Sequence, residues 1–123
     1  YYDRQFFTRT NLNQDYVSQF EQVLKAYYAS DKPKELGIPT VHYCAEVMNM
    51  SPKYLSDLLR KETGKGSLDH IHEVIIDKAK SILLGSTKSV SEIAFGLGYD
   101  YPQYFSKLFK KKTEMPPGEF RKN

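Results

Sequence analysis

Apolar residues recur at intervals of three and four along most of this chain, and no stretch alternates at two as a half-buried strand would. From about Gln14 to Ser30, Val17, Phe20, Val23/Leu24 and Tyr27/Tyr28 mark an amphipathic helix. Asp31–Pro39, with two prolines and a glycine, reads as a loop. Thr40 caps a short helix through Met48, and Ser51 with Pro52 opens another to about Thr63, closed by Gly64 and Gly66. Ser67 starts a long helix to Leu84, with Ile71, Val74/Ile75, Ala79 and Ile82/Leu83 on one stripe and Gly85 as its stop. Ser89 and Glu92 have capping-box spacing ahead of Ile93, Ala94 and Leu97, and Gly98 ends that helix. Asp100 caps the next, with Pro102 tolerated in its first turn. It buries Phe105, Leu108 and Phe109 and turns Gln103, Ser106, Lys107, Lys110 and Lys111 outward. Pro116-Pro117 breaks the chain before a last turn at Gly118–Arg121. The fold class is all-α, with about seven helices.

Tyr1–Asn13 has no sustained period and reads as a linker from an upstream domain, or a strand belonging to one. Tyr1 in place of Met at the first position points the same way. The aromatics Tyr1, Tyr2, Phe6 and Phe7 need a surface to cover them, either a partner or this chain's own first helix. Hydrophobic residues at 40% and charged ones at 27% fit a soluble globular domain of modest core. No apolar run reaches membrane-spanning length and no signal peptide is present, so the expected location is cytoplasmic. The single Cys44 has no internal disulfide partner, which fits a reducing compartment. Net charge is only +3, but residues 1–50 carry five Lys/Arg against six Asp/Glu, while 51–123 carry thirteen against nine. The basic excess lies downstream.

That downstream half contains a repeat. YLSDLLRKETG (Tyr54–Gly64) aligns with YFSKLFKKKTE (Tyr104–Glu114), with Tyr54/Tyr104, Ser56/Ser106, Leu58/Leu108, Lys61/Lys111 and Thr63/Thr113 identical fifty residues apart. Upstream the offset falls by one: Ala45 meets Ala94, Met48 meets Leu97, and Asn49 meets Gly98. Asn49 substitutes for glycine because Asn tolerates the left-handed region. The chain therefore holds two helix-turn-helix units, Thr40–Gly64 and Ser89–Glu114, separated by a helix roughly 27 Å long. Successive major grooves on one face of B-DNA lie about 34 Å apart, so such a rod can hold two recognition helices near that separation. The resulting divisions are a linker over 1–13, a first unit over 14–66, the joining helix over 67–85 and a second unit over 86–123.

Residues from about 39 to 121 resemble the DNA-binding domain of the AraC/XylS transcription regulators. Ile93-Ala94, Gly98-Tyr99, Tyr104-Phe105, Phe109-Lys110, Pro117 and Phe120-Arg121 carry the resemblance. Glu114 stands where that family usually has Gly, Pro116 where it has Thr or Ser, and Ile75 where the joining helix often carries Arg. The resemblance implies sequence-specific binding of double-stranded DNA, a regulated sensor or dimerisation domain upstream, and activation through contact with RNA polymerase. It places base-reading positions at Lys53, Ser56, Asp57 and Arg60 in the first unit, and at Pro102, Gln103, Ser106 and Lys107 in the second.

Side-chain chemistry agrees for most of these. Gln pairs with adenine, Lys donates to guanine, and Ser serves either role. Asp57 either accepts from cytosine N4 or pairs along the helix surface with Lys53 or Lys61. Lys61, Lys65, Lys110, Lys111 and Lys112 are expected at phosphates, as are the helix N-termini at Ser51 and Ser89. Tyr101, exposed at a helix start, would stack on a sugar or thymine methyl beside them. Tyr54, Leu55, Leu58, Leu59, Phe105, Leu108 and Phe109 are core by spacing. His42 and Cys44, like His70 and His72, stand two apart and diverge on a helix, so no metal set or cofactor site is expected, and no enzyme. The competing reading is a helical protein-interaction module whose basic faces are merely solvated.

Overall fold

The computed structural model describes residues 9–122, with side chains from residue 15 onward, and the aromatics Tyr1, Tyr2, Phe6 and Phe7 lie outside that range. The described residues form eight helices and no strand: α1 (Arg9–Tyr28), α2 (Lys32–Leu36), α3 (Val41–Val47), α4 (Pro52–Thr63), α5 (Ser67–Gly85), α6 (Val90–Gly96), α7 (Pro102–Thr113) and α8 (Pro117–Lys122). Three boundaries differ from the sequence expectation. Helix α1 starts ahead of Gln14, because 9–13 contains no Pro or Gly and extending an existing helix is cheap even without an apolar stripe. Helix α2 occupies part of the expected loop, with Pro33 in its first turn and Gly37 (φ 86°) at its end. One turn is too short to show a period. The N-cap of α7 is Tyr101, not Asp100, and its side chain makes no capping bond. Pro102 drives the residue before it into extended backbone (φ −130°, ψ 120°), and that decides where the helix starts.

The Thr40, Ser51 and Ser89 caps are local and formed as expected, whereas α5 runs through Gly85, its expected stop, and ends at Ser86 in extended backbone. Thr40 Oγ1 accepts from the Tyr43 N–H (3.1 Å) and Ser51 Oγ from the Tyr54 N–H (3.0 Å). The capping box is closed both ways: Ser89 Oγ accepts from the Glu92 N–H (3.1 Å), and Glu92 Oε1 accepts from the Ser89 N–H (2.9 Å). The Ser89 backbone bond, then its hydroxyl, holds the Glu92 carboxyl below its ordinary range.

The sequence repeat is repeated in the backbone. Met50 N–H bonds Ala45 O and Tyr99 N–H bonds Ala94 O, each at 3.0 Å, so both turns close in the same way. Asn49 (φ 57°) and Gly98 (φ 105°) take the positive φ these turns require. Gly64 and Glu114 both end their helices in the left-handed conformation, at φ 78° and 68°. Thr63 and Thr113 each bond back to the carbonyl four residues earlier, Leu59 O at 2.7 Å and Phe109 O at 2.8 Å.

One core joins the two units. Phe20 and Leu24 of α1, Leu55 and Leu59 of α4, Ile71, Ile75 and Leu83 of α5, Ile93 and Leu97, and Phe105 and Phe109 of α7 are all buried in it. Ala45 and Ala94 are fully buried, as close packing of each helix pair requires. Ile76 and His70 of α5 are also buried, beyond the expected stripe, and His70 Nε2 lies 2.8 Å from Thr63 Oγ1.

Helix α5 runs 19 residues, about 28 Å, between the units. It is not their only connection. The buried Tyr28 hydroxyl of α1 donates to Leu97 O (3.2 Å) at the end of α6, with its pKa raised by burial. The Gly37–Ile38 backbone also lies so close to Gly98 that a Cβ there would stand 2.7 Å from Gly37 C and 2.8 Å from Ile38 N. At the far end Arg121 Nε donates to Leu83 O (3.0 Å), fastening α8 to the end of α5.

Candidate nucleic-acid interface

Helices α4 and α7 each turn three apolar residues inward, Leu55, Leu58 and Leu59 on α4 and Phe105, Leu108 and Phe109 on α7, and leave a polar face outside. On α4, Lys53, Asp57, Arg60 and Lys61 are exposed and Ser56 is half-buried. On α7, Gln103, Lys107, Lys110, Lys111 and Lys112 are exposed, with Pro102 and Ser106 half-buried. Position by position the two helices share one burial pattern, apart from Leu58 (buried) against Leu108 (half-buried) and Glu62 (half-buried) against Lys112 (exposed).

Several candidate residues have partners already. Lys53 Nζ and Asp57 Oδ2 pair at 3.2 Å, one of the two alternatives open for Asp57. Both are exposed, so the pair adds little to stability and yields readily to a ligand. Lys65 pairs with Glu73, which raises the lysine's pKa through that hydrogen bond. Lys112 Nζ lies 3.9 Å from Asp69 Oδ1, bridging α7 to α5. The Arg60 guanidinium lies along Gly66, where a Cβ would stand 3.0 Å from Nη2.

The tyrosines correct the sequence reading. Tyr54 was expected in the core, but it is 51% exposed, as is its repeat partner Tyr104 at 59%. Each stands about 100° around its helix from the outermost polar position, and its hydroxyl favours a wet end for the ring. Their identity in both copies was the available signal. Tyr101 is exposed at 56% and packs edge-on against Tyr104, with ring centroids 5.7 Å apart. The α4 and α7 faces thus each combine cations with an accessible aromatic ring.

Among the described residues no group of three His, Cys, Asp or Glu could hold a metal ion. Burial pushes the Cys44 thiol up to about 11, which leaves it unreactive. No described helix is long and apolar enough to cross a membrane.

A family model described as "Helix-turn-helix domain" matches residues 44–123. The uncharacterized transcriptional regulatory protein YesN of Bacillus subtilis (strain 168) is 38% identical over 93 residues, covering 72% of this chain and 25% of that protein. The uncharacterized HTH-type transcriptional regulator YijO of Escherichia coli (strain K12) is 35% identical over 78 residues, covering 63% and 28%. The chain therefore spans about a quarter of the length of these curated relatives. Among solved structures, the C-terminal domain of AraT, a response regulator from Geobacillus stearothermophilus, superposes with a TM-score of 0.74 at 29% identity, covering 86% of this chain and 83% of that one. With its two matched helix-turn-helix units and the family match over 44–123, the chain belongs to the AraC-type helix-turn-helix family.

Proposed function

We propose that this chain is the DNA-binding output domain of a transcription regulator, laying α4 and α7 into successive major grooves of one duplex. The observation that carries the reading is the duplication itself. Two units with the same turns, the same helix ends and the same exposed polar face are held in one body. A protein-interaction module has no need of two matched polar faces, and the family does not favour it.

In this reading Lys53, Ser56, Asp57 and Arg60 on α4, and Pro102, Gln103, Ser106 and Lys107 on α7, face base edges. Lys61, Lys65, Tyr101, Lys110, Lys111 and Lys112 meet the backbone and set register. Lys65 and Lys112 would exchange Glu73 and Asp69 for phosphates, and Asp57 would release Lys53 on binding. An upstream sensor or dimerisation domain would supply control and RNA polymerase would be the downstream partner, in the cytoplasm and without catalysis by this domain.

Gel-shift titration against duplex pools at two or more salt concentrations tests this. With about 5 phosphate contacts, log K should fall against log salt with a slope of about −4 to −5. Selection from a random pool should then yield a two-part site. A slope near zero would refute DNA binding.

A further inference from the structure

A cleft of about 260 Å³ lies between α5 and α7, on the flank of the second recognition helix. His72 lines it from α5, Tyr104, Lys107, Leu108 and Lys111 from α7, and Tyr99 from the turn before α7. Lys107 and Lys111 are one helical turn apart and share one wall. No carboxylate lines the cleft. The acidic residues nearest along α5 are otherwise engaged, Asp69 with Lys112 and Glu73 with Lys65. The result is a small concave site with two lysines, an imidazole and an apolar floor, opening beside Tyr104 on the exposed face of α7.

We propose that His72 and Lys111 bind a backbone phosphate of the duplex held by α7, and that His72 does so as the imidazolium. The inference rests on the DNA-binding reading above and adds a DNA contact from the joining helix, whose buried stripe lies in the core shared by both units. A phosphate carries the charge this cleft lacks, and the imidazolium donates an N–H to it.

The charges facing His72 set the direction of the effect. Burial first, then Lys112 and Lys111, hold its pKa below the ordinary value, while Asp69 acts the other way. Lys107 and Tyr104 also line the cleft from α7, and burial pushes the Tyr99 hydroxyl up to about 12. These surroundings favour the neutral imidazole in the free domain. A bound phosphate offsets the lysines and raises the imidazole pKa, so binding takes up a proton. Affinity then rises as pH falls through the interval between the free and bound pKa, and is flat above both.

The test is Kd for the selected duplex at fixed salt from pH 8 to 5.5, together with imidazole ring proton NMR of the wild-type domain, free and bound. Wild type should tighten on the order of three- to tenfold across this range. His72→Gln should lose most of that gain. His72→Arg, charged throughout, should bind at pH 8 nearly as tightly as wild type at pH 5.5. His42 and His70 remain in both variants and report any contribution of their own. A His72→Gln domain with the wild-type pH profile would overturn the proposal. So would a His72 ring that titrates at the same pH free and bound, a result that needs no variant to fold. Tight, salt-dependent binding with either outcome would leave the DNA-binding reading standing; no binding at any pH would remove both.

Discussion

Gly98→Ala probes the contact that ties the two helix-turn-helix units together outside α5. Its backbone sits at φ 105°, where an L side chain is strained, and its Cβ would land 2.7 Å from Gly37 C and 2.8 Å from Ile38 N. Both are main-chain atoms, so no rotamer change relieves the overlap. Gly64 supplies the control, because it too has positive φ (78°) but a Cβ there meets nothing within 4 Å. Gly64→Ala therefore measures the conformational term alone, about 1–2 kcal/mol less any gain from stiffening the unfolded chain, for a net near 1 kcal/mol. Gly98→Ala adds overpacking against backbone, roughly 1–3 kcal/mol more, for about 2–4 kcal/mol in all. Urea unfolding of the two variants and the parent gives both values. At urea concentrations where Gly98→Ala is still folded, its specific DNA affinity should fall further than that of Gly64→Ala, since separating Gly37 from Gly98 re-aims α7. Equal destabilisation by the two substitutions would refute the close approach.

Glu114→Gly should stabilise the domain by about 0.5–1 kcal/mol in the same assay, because it relieves a left-handed non-glycine residue and removes an anion from a helix C-terminus. Tyr28→Phe should cost about 1–2 kcal/mol by leaving Leu97 O without its buried donor; a neutral result would mean that the hydroxyl contributes nothing to joining the units. Gln103→Ala should cost roughly 1–3 kcal/mol on the preferred duplex and relax preference at one position. Lys111→Ala should weaken all duplexes about equally, and identical behaviour of these two in a competition gel shift would refute the division into readers and positioners.

The helix ends were largely legible in the sequence because their determinants are local: Thr40, Ser51 and Ser89 cap within three residues, and Asn49, Gly64 and Gly98 take positive φ where the pattern stops. The outward faces of α4 and α7 were legible for the same reason, since one helix period sorts them. Competing local signals misled at Tyr101, where the steric demand of Pro102 outweighs the capping tendency of Asp100. Tyr54 misled because an aromatic ring counts as apolar in a periodic pattern, although its hydroxyl keeps it at the surface. Contacts with no local signature were not legible at all. Nothing near Gly37 in sequence announces Gly98, and nothing near Tyr28 announces Leu97. His72 acquires its surroundings only when α7 folds back along α5.

The two turns differ in the residue at their tightest point, Asn49 in one and Gly98 in the other, although both close with the same bonds. Asn49 faces solvent, whereas Gly98 has the Gly37–Ile38 main chain pressed against it. The outward turn accepts residues tolerant of a left-handed backbone, whereas the inward one is held to glycine by the main chain against it. Mutational tolerance should divide along that line, so that a saturation library at position 49 retains many functional side chains while one at position 98 returns almost only the parent.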